Sequence, residues 1–117
     1  MAALYVPDVG DIVWLNFTPQ SGHEQAGRRP AVVLSPHGYN SKSGLLVCVP
    51  ITNQIKAYPF EVVLVSQGAT GAALADQVKN LDWRSRQAER KGRATPEEIA
   101  EIRAKISALL SLNLTSP

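Results

Sequence analysis

Arg28 and Arg29 stand side by side ahead of Pro30, in the segment His23-Glu24-Gln25-Ala26-Gly27-Arg28-Arg29-Pro30. A guanidinium is permanently charged and presents a planar fork of N–H donors that fits a phosphate. A carboxylate such as Glu24, a few residues upstream, can take up or return a proton. Thr52 follows the apolar run from Leu45 to Ile51 and heads a loop with Asn53, Gln54 and Lys56, so its hydroxyl can face the same cleft as Arg29. That combination of groups suits phosphoryl chemistry. Each member also has a plainer reading: the arginines as solvating charges at a strand start, Glu24 as a surface ion-pair partner, Thr52 as a local turn hydrogen bond. Lys56, Lys79, Arg84 and Arg86 add positive charge on polar segments, and Trp14, Tyr39, Tyr58 and Trp83 are candidate stacking faces for bases. Trp14 and Phe60 read more simply as core, and Trp83 equally as core or interface.

Other chemistries lack their signatures. No HExxH, CxxC, glycine-rich phosphate loop or GxSxG is present, and His23 and His37 are far apart in sequence. The expectation is therefore no metal site and no cofactor. Twelve Lys plus Arg against ten Asp plus Glu give a formal charge of +2, so bulk charge alone does not argue for nucleic acid. With 44% hydrophobic and 19% charged residues the chain is neither disordered nor fibrous in composition. At 117 residues it is expected to form one domain over residues 1–117. The single cysteine, Cys48, lies in an apolar run and reads as a buried small hydrophobe. No stretch approaches the ~18 apolar residues of a membrane span, and a cytoplasmic protein is expected.

The elements that must position these groups are mostly strands. Asp11–Phe17 is β-branched and aromatic, bounded by Gly10 and Pro19; Thr18 to Arg28 reads as a loop leading into Pro30–Leu34. Ser35 to Gly44 carries turn residues almost throughout. Leu45–Val49 is a strand ended by Pro50, Thr52 to Tyr58 a loop, and Pro59–Val65 and Ala75–Leu81 two further strands. Arg86–Arg93 is a polar edge strand. Thr95-Pro96-Glu97-Glu98 is a capping box with proline at the first helical position. It opens a helix whose stripe of Ile99, Ile102, Ile106, Leu109 and Leu110 is to lie on the sheet while Glu101 and Lys105 pair outside. The pattern predicts a mainly β fold with a C-terminal α-helix: a small SH3-like antiparallel barrel over about residues 8–94, then the helix over about 95–112.

A chain of motifs then carries a resemblance that spacing alone does not. Tyr5-Val6-Pro7-Asp8 with Gly10-Asp11-Ile12-Val13-Trp14, and Gly22 through Glu24-Gln25-Ala26-Gly27 to Arg29-Pro30-Ala31-Val32-Val33-Leu34-Ser35-Pro36, come first. Cys48-Val49-Pro50, Thr52, Lys56, Tyr58-Pro59-Phe60-Glu61-Val62-Val63-Leu64, Ala73-Leu74-Ala75-Asp76-Gln77-Val78-Lys79 and Trp83-Arg84 follow in order. Over nearly its whole length the chain resembles the MazF/PemK family of toxin endoribonucleases, MazF proper most of all.

The resemblance implies a CcdB/MazF-type barrel that works as a cytoplasmic homodimer and cleaves single-stranded RNA without a metal. It also implies a cognate MazE-like antitoxin whose disordered tail occupies the RNA groove. Arg29 matches the family's catalytic arginine and Thr52 its threonine; Glu24 is the expected base. Arg28, Gln25, Asn16, Lys56, Gln77 and Lys79 are the expected RNA-binding residues. Two positions depart from the family pattern: Arg28 stands where histidine is frequent, and Asn16 where many members have aspartate. Two other readings of the same fold are a CcdB-like barrel that binds a protein target such as gyrase, and an RNA-binding barrel without catalysis.

Overall fold

The computed structural model describes residues 4–17, 27–65 and 71–112. Its elements are β1 (Asp11–Phe17), β2 (Gly27–Val33), α1 (His37–Ser43), β3 (Leu45–Thr52), β4 (Glu61–Leu64), β5 (Gly71–Leu74), β6 (Lys79–Asp82), β7 (Glu89–Arg93) and α2 (Pro96–Leu109). All strand pairs are antiparallel, in the order β4-β5-β3-β2-β1-β7, with β6 also on β3. The class is as expected, mainly β with a C-terminal helix. The barrel is not closed: among the described residues β4 and β7 end the path without pairing to each other. The sheet splits instead at β3, whose one edge takes two different partners, and this divides the strands into two sets that share β3.

That split explains two further differences from the sequence reading. β3 does not stop at Pro50. On one edge Leu45–Cys48 pairs with β6 and Ile51–Thr52 with β5, so Val49 and Pro50 fall where that edge has no partner and a missing N–H breaks no ladder bond there. Nor is Ala75–Leu81 one strand. Ile51 faces Ala73 and Cys48 faces Lys79, so the chain gains extra length as it passes from β5 to β6, and residues 75–78 loop out as a turn closed by Gln77 N–H to Leu74 O at 3.0 Å.

The polar stretch after Pro36 forms a helix because of one buried side chain. Asn40 is fully buried. Its Oδ1 accepts from Ser35 Oγ at 2.6 Å and its Nδ2 donates to Pro7 O at 2.8 Å and Ser35 O at 3.0 Å. Its main-chain oxygen accepts from Trp83 Nε1 at 2.9 Å, and from the N–H of Gly44, which ends the helix in the left-handed conformation. Trp83 is therefore core, 5% exposed, and not a stacking face.

One face of the sheet packs Ile12, Val32, Val49 and Ile51 against Ile99 and Ile102 of α2; the other packs Val13, Leu15, Ala31, Val33, Cys48 and Trp83. Burial pushes the Cys48 thiol up to about 12. The capping box of α2 is present, with Thr95 Oγ1 accepting from Glu98 N–H at 3.1 Å and Glu98 Oε1 from Thr95 N–H at 2.9 Å. Glu98 Oε2 also accepts from Val65 N–H at 2.8 Å, tying the helix start to the end of β4. The apolar stripe ends at Ile106; Leu109 and Leu110 are 42% and 59% exposed. Lys105 Nζ donates to Pro59 O at 2.7 Å and makes no pair with Glu101.

Asn40→Ala should leave the Ser35 hydroxyl and two buried carbonyls short of partners, lowering unfolding free energy by about 2–4 kcal/mol on the scale of lost buried hydrogen bonds. Urea denaturation followed by tryptophan fluorescence measures this, and a midpoint equal to the parent's would contradict it.

Candidate active site

In an antiparallel pair, opposed residues share a side of the sheet and neighbours along a strand alternate sides. Leu15 faces Arg29 and Asn16 faces Arg28, so the adjacent arginines leave the sheet in opposite directions. Arg29 shares its side with Ala31 and Val33, whose partners on β3 are Pro50 and Cys48. Thr52 lies two residues beyond Pro50 on that same side, at the same end of the two strands. Lys79, opposite Cys48, also shares that side. Register alone thus collects Arg29, Thr52 and Lys79 from three strands.

Thr52 lines a cavity of about 600 Å³ with Gln54, Lys56, Tyr58, Glu61, Leu74, Asp76 and Gln77. Arg29 lines a second hollow, of about 320 Å³, with Trp14, Arg28, Pro30, Ile51, Asn53 and Lys91. Ile51 and Asn53 flank Thr52 in the chain, so both hollows open at the end of β3. Arg28, Arg29 and Lys91 line the second, and among the described residues no carboxylate lines it, which suits an anion. Trp14, read from sequence as core, is half-buried there, with Lys91 Nζ 5.2 Å from its ring centroid. Thr52 Oγ1 accepts from Gln54 N–H at 3.1 Å. The local turn bond is therefore present, and it leaves the O–H to donate.

Arg28 borders the second hollow too, but its guanidinium is tied down by neighbours on its own side of the sheet. Its guanidinium donates to Asn16 Oδ1 at 3.0 Å, Gln87 O at 2.9 Å and Glu89 Oε1 at 3.2 Å. Asn16 Nδ2 in turn donates to Gln87 Oε1 at 3.4 Å. The two departures from the family pattern are thus one interaction, an amide oxygen accepting from a guanidinium. Lys56 and Gln77 line the cavity with Thr52, whereas Lys79 lines neither hollow. Glu24 and Gln25 lie outside the described residues. Tyr39 sits on α1, where its Oη accepts from Asn80 Nδ2 at 3.0 Å.

The sequence reading offered Tyr58 as a stacking face but did not single out Glu61 or Asp76, which shape the cavity wall with it. Glu61 accepts from Lys56 N–H at 3.1 and 3.2 Å and from Tyr58 N–H at 3.3 Å, fixing the loop between β3 and β4. Tyr58 Oη donates to Asp76 Oδ2 at 2.7 Å. That hydrogen bond, with desolvation and the Asp76 charge, holds the phenol above its usual range and so protonated. The signal for Asp76 was the faulty alternation of Ala75–Leu81, which marked the turn. Among the described residues no group of three or more His, Cys, Asp or Glu is placed to hold a metal ion.

Residues 8–110 match the family model for the PemK-like, MazF-like toxin of type II toxin-antitoxin systems. The chain is 57% identical over 110 residues to the endoribonuclease toxin MazF of Escherichia coli K12, covering 94% of this chain and 99% of that protein. It is 37% identical over 107 residues to the endoribonuclease toxin ChpB of the same strain, covering 86% and 91%. The crystal structure of MazF from Deinococcus radiodurans superposes with a TM-score of 0.88 at 54% identity, covering 92% of this chain and 99% of that one. A MazE–MazF structure from the same organism gives a TM-score of 0.84 at 51% identity, covering 93% and 100%.

Gly71 supports Thr52 from beneath. Its φ is +119°, and a Cβ there would lie 2.1 Å from the Thr52 carbonyl oxygen and 3.2 Å from Asn53 Cα. Gly71→Ala is therefore expected to cost more than about 1 kcal/mol of stability and to shift the Thr52 and Asn53 amide resonances. Unchanged denaturation and unchanged resonances would show that Gly71 does not set the position of Thr52.

Proposed function

Because the chain belongs to the PemK-like, MazF-like toxin family of type II toxin-antitoxin systems, we propose that it is the toxin endoribonuclease of such a pair, cutting single-stranded RNA at specific short sequences. The observation that carries this reading is the register that sets Arg29 and Thr52 on one side of the sheet at the end of β2 and β3. The ribose 2′-hydroxyl attacks the adjacent phosphorus; a proton leaves that hydroxyl, a phosphorane forms, and the departing 5′-oxygen is protonated. Products are a 2′,3′-cyclic phosphate and a 5′-hydroxyl. Arg29 supplies fixed positive charge to the phosphorane oxygens, Thr52 donates its O–H to a non-bridging oxygen, and Glu24 takes the proton from the nucleophile. Arg28, Gln25, Asn16, Lys56, Gln77 and Lys79 hold the strand around that phosphate.

The partners are single-stranded RNA, a MazE-like antitoxin and a second copy of the chain, which would supply the facing wall of the groove. The Deinococcus MazE–MazF structures support the antitoxin. No helix among the described residues is long and apolar enough to cross a membrane, and the site of action proposed is the cytoplasm. A CcdB-like, gyrase-binding role is not favoured, since the relatives described above are named endoribonucleases.

Cleavage is expected to persist in excess EDTA, because Arg29 can supply the charge stabilisation that a divalent ion would otherwise give. An RNA with a single 2′-deoxy sugar at the scissile position should bind and resist cutting. Loss of activity on chelation, or normal cutting of the deoxy substrate, would each refute this mechanism.

The adjacent arginines should separate. In single-turnover cleavage at saturating RNA, Arg29→Ala should be slower by about 10²–10³-fold, the scale for one lost electrostatic donor. Arg28→Ala should keep the chemical step and lose RNA affinity and about one phosphate contact's worth of salt dependence. The reverse pattern would mean that the assignment of the two side chains is wrong.

A further inference from the structure

Of the two hollows at the end of β3, the cationic one suits a phosphate, while the larger, mixed one lined by Thr52, Lys56 and Gln77 has room for more than the contacts to that phosphate. Its volume of about 600 Å³ lies within the ~300–1,000 Å³ of small-ligand sites, far more than a phosphate oxygen needs. Among the described residues it offers one apolar surface, Leu74, and one ring, Tyr58, which is 46% exposed and tilted against Phe60 at a centroid distance of 5.8 Å. The ring is fixed at both ends, through its own N–H to Glu61 and through Oη to Asp76 Oδ2. Such a ring is a stacking platform for a nucleobase.

Resting on the ribonuclease reading above, we infer that Asp76, aligned by Tyr58, is a specificity-determining residue that reads the exocyclic amino group of one RNA base in the cavity beside Thr52. An ionised carboxylate is acceptor-only. Asp76 Oδ2 is occupied by the phenol, while among the described residues Oδ1 has no protein partner. Oδ1 therefore calls for a donor from the ligand. Adenine, cytosine and guanine carry an amino group that meets this need, as in carboxylate recognition of the cytosine amine. Uracil has no exocyclic amino group, and its N3–H is flanked by two carbonyl oxygens that a carboxylate disfavours. Glu61 does not compete, because its carboxylate oxygens already face the N–H groups of Lys56 and Tyr58. The turn at residues 75–78, made by the extra chain length between β5 and β6, is what brings Asp76 and Gln77 to the cavity.

The test is cleavage of a randomised single-stranded RNA pool by the full-length protein and by Asp76→Ala, Asp76→Asn and Tyr58→Phe, with the cut ends sequenced. At one position next to the cut, the parent should disfavour uracil. Asp76→Ala should reduce that discrimination by about tenfold, the scale of one lost base contact. Asp76→Asn, whose amide can donate, should shift the preference toward uracil, and Tyr58→Phe should relax it in part. A folded Asp76→Ala protein with the parent's base profile at every position, at whatever rate, overturns the inference. If Asp76→Ala does not fold, an unchanged profile for Tyr58→Phe overturns it equally. A parent protein that cuts no RNA overturns the ribonuclease reading itself, an outcome distinct from an unchanged profile.

Discussion

Cys48, Val49 and Pro50 pair with Val33, Val32 and Ala31 on one edge of β3, and this short ladder fixes where Arg29 and Thr52 sit relative to each other. Shifting a strand by one residue turns every side chain to the opposite side of the sheet. A slip between β2 and β3 would therefore part Arg29 from Thr52 and expose Val32 or Val33. The register is held by burial on both faces, since Val32 and Val49 belong to the core under α2 and Val33 and Cys48 to the core around Trp83. The site is thus specified by hydrophobic packing that lies away from it.

Buried polar groups lock the edges of this arrangement. Asn40 joins the N-terminal segment, the end of β2, α1 and the Trp83 turn; Glu98 joins α2 to β4. At the start of β1, buried Asp11 accepts from Tyr5 Oη at 2.6 Å and Arg93 Nη1 at 2.8 Å, clamping the N-terminal segment and β7. Full satisfaction matters here, because a buried polar group with a missing partner costs far more than the bond it replaces contributes. Inside this frame the loop between β3 and β4 is shaped by Glu61, and the cavity wall is preset before any ligand arrives.

What was legible in the sequence was what local chemistry decides. Asp11–Phe17 showed itself through β-branched residues, and α2 through Thr95, Pro96 and Glu98, whose bonds span a few residues. The first helix was not legible, because its polar residues are helical only through Asn40's contacts with Pro7 and Trp83, distant in the chain. Pro50 misled for a related reason: whether a proline ends a strand depends on which partner its edge would face. Closure of the sheet could not be read either, as it depends on strands far apart in sequence. At the site, Arg29 and Thr52 had plain structural readings and were singled out by family resemblance. Tyr58 was legible as a candidate stacking face, but Asp76 stayed hidden because it meets Tyr58 only through the turn where β5 gives way to β6.

The central claim, that β2 and β3 present Arg29 and Thr52 to one phosphate, is tested most directly by a double-mutant cycle in single-turnover RNA cleavage. Thr52→Val keeps the side-chain shape and removes the donor. If both groups act on the same transition state, the rate loss of Arg29→Ala combined with Thr52→Val should fall short of the product of the single losses by about tenfold or more. Losses that multiply fully would mean that the two residues act independently, and would contradict the account.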